Sequence, residues 1–158
     1  MLKPTIPGPD PDTKTPKFKL PPLACDAHCH IFGPDSKYPY AADRPYTPPD
    51  APLEDFRALH AKLGVGRAVI VNASVHGTDN RVALDAIAAS NGAYRAVANI
   101  DDTISERELQ ALHDGGFKGC RDAGDDDAKE NAGNERCKTA DAAGWPISWG
   151  GKFLVLRH

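Results

Sequence analysis

The residues with the clearest chemical potential are His28 and His30, which lie in the run Asp26-Ala-His-Cys-His-Ile-Phe-Gly-Pro34. Residues two apart on a β-strand point to the same face, about 7 Å apart along it, so both imidazoles can face one ion or one bound molecule. Imidazoles bind zinc-like divalent ions and also act as general bases near neutral pH. The simpler alternative is a pair of exposed histidines at a strand end.

The cysteines are not expected to join the histidines in a metal site. The chain has 4 cysteines without a CxxC motif, so free thiols are expected. A composite zinc site would combine Cys25 with His28 and His30. However, Cys25 and Cys29 are an odd number of residues from the histidines, and a regular strand would direct them to the opposite face.

The pattern of apolar residues predicts strands that alternate with helices. Arg67–Ser74 is rich in β-branched residues and predicts a strand buried on both faces. Ser105 and Glu108 form a capping-box pattern at a helix start, and Gly64 is a stop signal for the first helix. Strands are predicted over 23–30, 67–74, 94–100 and from 117, and helices over 53–63, 79–90 and 105–114.

This alternation predicts an α/β fold with a parallel sheet. The two candidates are an open doubly wound sheet and part of a (β/α)8 TIM barrel. No glycine-rich phosphate loop follows the first strand, and histidines at the C-terminal end of that strand suit the barrel, whose active sites lie at that face. Because a full barrel needs about 250 residues, the chain is expected to hold only about the first four β/α units.

Composition excludes other classes of function. The formal charge is −3 and the 19 basic residues are scattered, so no nucleic-acid partner is expected. No stretch approaches the ~20 apolar residues of a membrane span, and no apolar segment resembles a secretory signal, so a cytoplasmic protein without a membrane partner is predicted. The proline-rich residues 1–22 are expected to form an extended arm.

Four motifs occur in order: DAHCHIFGP, YPYAADRPYTPPDAP, NASVHGTDN and GGFKGCR. Together they resemble the amidohydrolase superfamily and, within it, the 2-pyrone-4,6-dicarboxylate hydrolase group of lactone hydrolases. The resemblance covers residues 23–121. It implies attack of water on a lactone carbonyl, with a carboxylate from the last barrel strand as general base and histidines or a metal ion polarising the carbonyl.

The resemblance also implies roles for individual residues. His28 and His30 match the catalytic pair of the first strand, which binds a divalent, zinc-like ion in the metal-dependent relatives. Cofactors are therefore expected to be none or one such ion.

The same resemblance implies substrate contacts for Tyr46, Ser74 and Arg121. An arginine at a strand end can bind a carboxylate of the small-molecule lactone with both arms of its guanidinium. His76 lies in the same loop as Ser74 and is a further candidate for substrate binding. For the neighbouring residues Thr78 and Asp79 we expect a structural role, with one of them as the helix N-cap.

Beyond Arg121 the motifs end. Relatives carry a second substrate-binding arginine where this sequence has Asp127, whose negative charge would repel a dicarboxylate. We interpret residues 23–121 as the first half of a barrel and residues 122–158 as a divergent tail. The tail is expected to result from a frameshift near codon 121 or to be disordered. Half a barrel would expose two sheet edges, which predicts self-association.

Two alternatives to the lactone hydrolase stay open. One is a metal-dependent hydrolase or decarboxylase of the same superfamily. The other is a non-catalytic fragment or binding partner, which is consistent with the truncated length.

Overall fold

A computed structural model of the chain describes residues 3–122, and they form one parallel sheet with the strand order β1-β2-β3-β4. The elements in chain order are β1 (Cys25–Cys29), α1 (Leu53–Leu63), β2 (Arg67–Val71), the short 3-10 helix (Ser74–His76), α2 (Arg81–Ala88), β3 (Tyr94–Ile100), α3 (Glu106–Asp114) and β4 (Phe117–Asp122). This is the predicted partial barrel of parallel strands and alternating helices. β4 includes Asp122, the first residue of the predicted tail, and residues 123–158, which include Asp127, lie outside the described residues.

The helix boundaries follow local chemistry. Gly64 takes the left-handed conformation with φ 76°, and its N–H caps the carbonyl groups of the last turn of α1, as the sequence predicts. The Ser105 side chain accepts a hydrogen bond from the Glu108 N–H, and the Glu108 carboxylate accepts one from the Ser105 N–H. The predicted capping box of α3 is therefore confirmed.

The two faces of the sheet differ in composition. One face is covered by the helices and carries the apolar core, in which Ile70, Ala98 and Phe117 are each 0 % exposed. The opposite face carries His28 and His30 of the first unit, both exposed, together with the half-buried Val69 and Val97. Alternation of side chains along each strand separates these two environments.

Two local predictions were wrong. β2 ends at Val71, so Ser74 lies in the 3-10 helix that follows the strand and not at the strand end. The N-cap of α2 is Asn80, not Thr78 or Asp79. The Asp79 carboxylate nevertheless accepts the N–H of Arg81 at 3.1 Å, so it satisfies a first-turn donor from one position earlier.

The long loop of residues 33–52 packs against α2 and the 3-10 helix. Tyr38 is 7 % exposed, and its hydroxyl donates to the Asp85 carboxylate on α2 at 2.7 Å. The Tyr40 ring lies 5.0 Å from the His76 ring. The residues of the N-terminal arm that the structure describes contain no helix, and Thr5 forms a single bridge to Thr47. Within residues 3–122 no helix has the length and apolarity that crossing a membrane requires.

Candidate functional site at the carboxyl ends of the strands

The two histidines of the HxH motif converge on one point. The Nε2 atoms of His28 and His30 are 3.4 Å apart, and the rings meet edge to face with centroids 5.0 Å apart. His30 Nδ1 lies 2.8 Å from the carbonyl oxygen of Val71, to which it donates. In a neutral His30 this bond leaves Nε2 as an acceptor, so His28 Nε2–H is the donor within the pair.

Both imidazoles are held in the neutral form. Burial lowers the pKa of His28, and the charge of Arg121 lowers it further, against a smaller opposing effect of Asp26. Burial likewise lowers the pKa of His30, although the hydrogen bond to the Val71 carbonyl partly offsets it. Neutral imidazoles at pH 7 can bind a metal ion or accept a proton.

The geometry of the pair fits part of a divalent-metal site. Two imidazole nitrogens bound at about 2.0–2.1 Å to a tetrahedral ion lie about 3.3 Å apart, close to the separation found here. Within residues 3–122, however, no group of three His, Cys, Asp or Glu side chains is placed to hold a metal ion. Cys29 does not join the histidines, because its Sγ faces the Val69 carbonyl at 3.3 Å and packs against the core.

Strand register places Arg121 on the same face as the histidines. Cys29 pairs with Ile70 and Ile70 with Ala96 on the helix-covered face, so the residues that alternate with them lie on the opposite face. Asn99 pairs with Arg121 across β3 and β4 on that opposite face. The pKa effect of Arg121 on both histidines is consistent with this proximity.

Three asparagines that the sequence analysis did not identify form hydrogen bonds with one another and with Arg121 at the carboxyl ends of the strands. Asn80 Oδ1 accepts from Asn72 Nδ2 at 3.0 Å and from the Asn99 N–H at 2.9 Å. Asn99 Oδ1 in turn accepts from Arg121 Nε at 2.6 Å, and the Asn72 carbonyl accepts from the guanidinium at 2.9 Å. Asn72 and Asn99 are almost fully buried, and buried amides directly after apolar strand residues were the signal that could have identified them.

Ser74 and His76 line a neighbouring cleft of about 680 Å³, together with Tyr40, Arg44 and Asp101. His76 is 2 % exposed, and neither ring nitrogen forms a hydrogen bond within the described residues. Burial lowers its pKa, and the nearby carbonyl groups of Ile31 and Pro39 act in the opposite direction. Asn99 joins the cleft to the arginine. Its Nδ2 donates to the carbonyl of Ala73, the residue before Ser74, and to the carbonyl of Gly77, which lines the cleft, and its Oδ1 accepts from Arg121.

The structure thus brings His28, His30 and Arg121 together and places Ser74 and His76 beside them. Tyr46 is half-buried in the long loop and is not among the residues that line the cleft. The sequence-predicted site therefore forms two adjacent patches at one edge of the sheet. The loop tyrosine whose ring lies beside the His76 ring is Tyr40.

Comparison with known proteins agrees with the fold. A family model described as Amidohydrolase matches residues 25–148. A 2-pyrone-4,6-dicarboxylate hydrolase from Comamonas testosteroni is 50 % identical over 106 residues, which are 67 % of this chain and 35 % of that protein. A 4-sulfomuconolactone hydrolase from Hydrogenophaga intermedia is 38 % identical over 120 residues, 76 % of this chain and 40 % of its own length.

Solved structures show the same similarity. An apo structure from Agrobacterium tumefaciens has a TM-score of 0.66 and 30 % identity, over 82 % of this chain and 48 % of that one. A "probable 2-pyrone-4,6-dicarboxylic acid hydrolase" from Acinetobacter baumannii with citric acid bound has a TM-score of 0.58 and 25 % identity, over 63 % and 37 % of the two chains.

These matches have two consequences. The chain spans between a third and a half of the length of these relatives. The matched family range continues past Arg121, where the motifs that we recognised end. Because the family model matches most of the sequence and the sheet has the parallel strands and alternating helices of its barrel, the chain belongs to the amidohydrolase family.

Proposed function

We propose that this chain carries part of the active site of a lactone hydrolase that opens a carboxylated ring such as 2-pyrone-4,6-dicarboxylate. The observation that carries the proposal is that two neutral imidazoles meet at the strand ends, with the Arg121 guanidinium on the same face and near enough to lower the pKa of both. The relatives named as lactone hydrolases support the substrate class, and the citric acid bound to one solved relative is itself a polycarboxylate. A role in breakdown of aromatic compounds in the cytoplasm is part of this proposal.

The reaction assigns a role to each group. A general base takes a proton from water as the water oxygen adds to the lactone carbonyl carbon, the resulting oxyanion collapses, and the ring C–O bond breaks. The products are a new carboxylate, the third in the case of 2-pyrone-4,6-dicarboxylate, and an enol or hydroxyl oxygen that takes up a proton. Arg121 binds a substrate carboxylate through the planar guanidinium, which orients the ring. A protonated Nε2 of the histidine pair donates to the developing oxyanion.

The reaction calls for a general base and, in metal-dependent relatives, a divalent ion. The family resemblance implies a general-base carboxylate on the last barrel strand, and residues 3–122 contain four strands only. A divalent ion, if one is used, would be held by His28 and His30 and would supply Lewis-acid polarisation of the carbonyl.

We also propose that the chain self-associates through its sheet edges. Within residues 3–122, β1 and β4 each pair with one neighbouring strand, so each leaves one edge without a strand. Open edges pair readily with other strands. Sedimentation velocity should show a concentration-dependent rise in sedimentation coefficient, and a monomer at all concentrations would contradict the proposal.

The primary test is ring opening of 2-pyrone-4,6-dicarboxylate by the wild type and by His28→Ala. We expect loss of at least about 100-fold in kcat/KM, because removal of one hydrogen-bond donor to the oxyanion typically costs about 100- to 1000-fold. His113→Ala is the matched control, since His113 lies at the end of α3 that leads into the start of β4, away from the strand carboxyl ends. Equal activity of His28→Ala and wild type would refute the proposed role.

A metal-dependent hydrolase or decarboxylase is the second candidate, and the 3.4 Å separation of the two Nε2 atoms favours it. Metal analysis of the purified protein, with activity before and after chelation, separates it from the first. Release of carbon dioxide would identify a decarboxylase. No turnover of any lactone, together with concentration-dependent assembly, would indicate a non-catalytic binding partner.

A further inference from the structure

The side-chain amide of Asn99 has a fixed orientation. Asn99 is 0 % exposed, and its Nδ2 donates to two carbonyl oxygens, that of Ala73 at 3.1 Å and that of Gly77 at 3.0 Å. Both donor hydrogens are used by these bonds. Oδ1 must therefore face the opposite direction, where it accepts from Arg121 Nε at 2.6 Å.

The guanidinium is held from two strands at once. Asn99 on β3 accepts from Nε, and the carbonyl of Asn72, directly after β2, accepts from a terminal nitrogen at 2.9 Å. Two hydrogen bonds from a planar group define its plane and its direction. Arg121 is thus fixed by the neighbouring strands as well as by its own backbone.

Both acceptors are electrically neutral. A carboxylate at the position of the Asn99 amide would form an ion pair with the guanidinium and would compete with an anionic ligand for it. An amide orients the guanidinium without placing a negative charge beside it. The same amide holds Ala73 and Gly77, the residues on either side of Ser74–His76.

We propose that Asn99 is a positioning residue, which orients the Arg121 guanidinium for a ligand carboxylate and aligns it with the Ser74–His76 turn. This inference rests on the proposed function, in which Arg121 binds a carboxylate. Asn99 does not touch the ligand and acts through Arg121.

The test measures the Kd of 2-pyrone-4,6-dicarboxylate for the full chain carrying Asn99→Asp, Arg121→Lys, or both. Asn99→Asp preserves the shape of the side chain, adds a negative charge against Arg121 and removes the two donors. We expect each single variant to weaken binding at least tenfold. The double variant should bind no more than about twofold worse than the weaker single variant, because residues that act as one unit are not additive.

Matched controls separate this effect from a general one. Asn91→Asp makes the same chemical change in the exposed turn after α2, and we expect its Kd to stay within twofold of wild type. Asn99→Ser removes the amide without adding charge and should also weaken binding. In an enzyme that turns over, Asn99→Ser should raise KM more than it lowers kcat, because the carboxylate contact is the same in substrate and transition state.

A second readout does not depend on ligand. The Arg121 Nε–H resonance, assigned by its absence in Arg121→Lys, should exchange slowly in wild type and rapidly in Asn99→Ser, which removes the acceptor of this N–H. If that variant does not fold, the wild type alone decides, and a rapidly exchanging Nε–H would overturn the inference.

The two proposals fail in different ways. If Arg121→Lys weakens binding and Asn99→Asp does not, or if their effects multiply in the double variant, the inference about Asn99 is wrong while the proposed function stands. If wild type does not bind the dicarboxylate, the proposed function fails, and the exchange rate of Nε–H still tests the orientation of Arg121.

Discussion

The two faces of the sheet use the same strands for different purposes. On the helix-covered face, alanine, isoleucine and phenylalanine side chains pack at close to zero exposure. On the opposite face the strand ends carry imidazole, amide and guanidinium groups that bond to one another. The two environments alternate from one residue to the next along β1. Cys29 packs against the core, whereas the adjacent residues His28 and His30 belong to the candidate site.

This difference suggests that stability and recognition are largely separable in this molecule. Substitutions on the helix-covered face should change the free energy of unfolding, whereas substitutions at the strand ends should change ligand binding. Variants on each face test this separation.

Phe117→Ala should have the largest effect on stability. Phe117 is 0 % exposed at the start of β4, and truncating a buried phenylalanine costs about 3–5 kcal/mol. Urea unfolding at equilibrium measures the change. Phe18→Ala is the control, because Phe18 is 67 % exposed and its loss should stay within about 0.5 kcal/mol. Similar effects of the two variants would contradict the assigned core.

Arg121→Met should weaken binding of 2-pyrone-4,6-dicarboxylate by about 10- to 150-fold, the equivalent of about 1.5–3 kcal/mol for hydrogen bonds to a charged group. Its effect on unfolding should be smaller than that of Phe117→Ala. Isothermal titration calorimetry gives the affinity. Arg107→Met on the exposed face of α3 should bind as wild type does. If Arg121→Met binds normally, the strand-end face is not the recognition face.

Ser105→Ala should destabilise the protein by about 1 kcal/mol, since it removes the N-cap of α3 and one half of the capping box. The expected effect is confined to stability, and ligand affinity should not change. Ser36→Ala in an exposed turn serves as the control for loss of a serine hydroxyl. Equal unfolding midpoints for the two variants would show that the cap contributes nothing measurable.

The smallest expected effect concerns pH. The folded-state pKa of His30 is lowered mainly by burial, so below about pH 6.5 the unfolded chain binds protons that the folded chain does not. Stability should therefore fall as pH falls from 6.5 toward the folded pKa. Proton NMR titration should place the midpoint of His30 below 6.5, and His28→Gln should raise it because His28 lowers that pKa. A midpoint above 6.5 would contradict the assignment of His30 as a neutral imidazole.

Much of the fold could be predicted from local patterns. The four strands and three helices lie close to their predicted positions, because β-branched runs, glycine stops and a capping box act within a few residues. The errors occur where tertiary contacts compete with local signals. Asn80 is the N-cap of α2, but its side chain bonds to Asn72, directly after β2, and to Asn99 on β3 and not to the first turn of the helix, which no local pattern reveals.

In the candidate site, too, some features follow from local spacing and others from tertiary structure. The spacing of His28 and His30 was sufficient to place both rings on one face, and the structure adds that their Nε2 atoms meet at 3.4 Å. The separation of Ser74 and His76 into an adjacent cleft could not be predicted, because it depends on where β2 ends and how the chain turns afterwards.

The sequence by itself determined the alternation of strands and helices and the face on which each residue of a strand lies, because both follow from the periodicity of the backbone. Only the tertiary structure decided how Arg121 is held and which groups share its surroundings. Those contacts join residues 22 and 49 positions apart in the chain, and the packing of β2, β3 and β4 sets their distances.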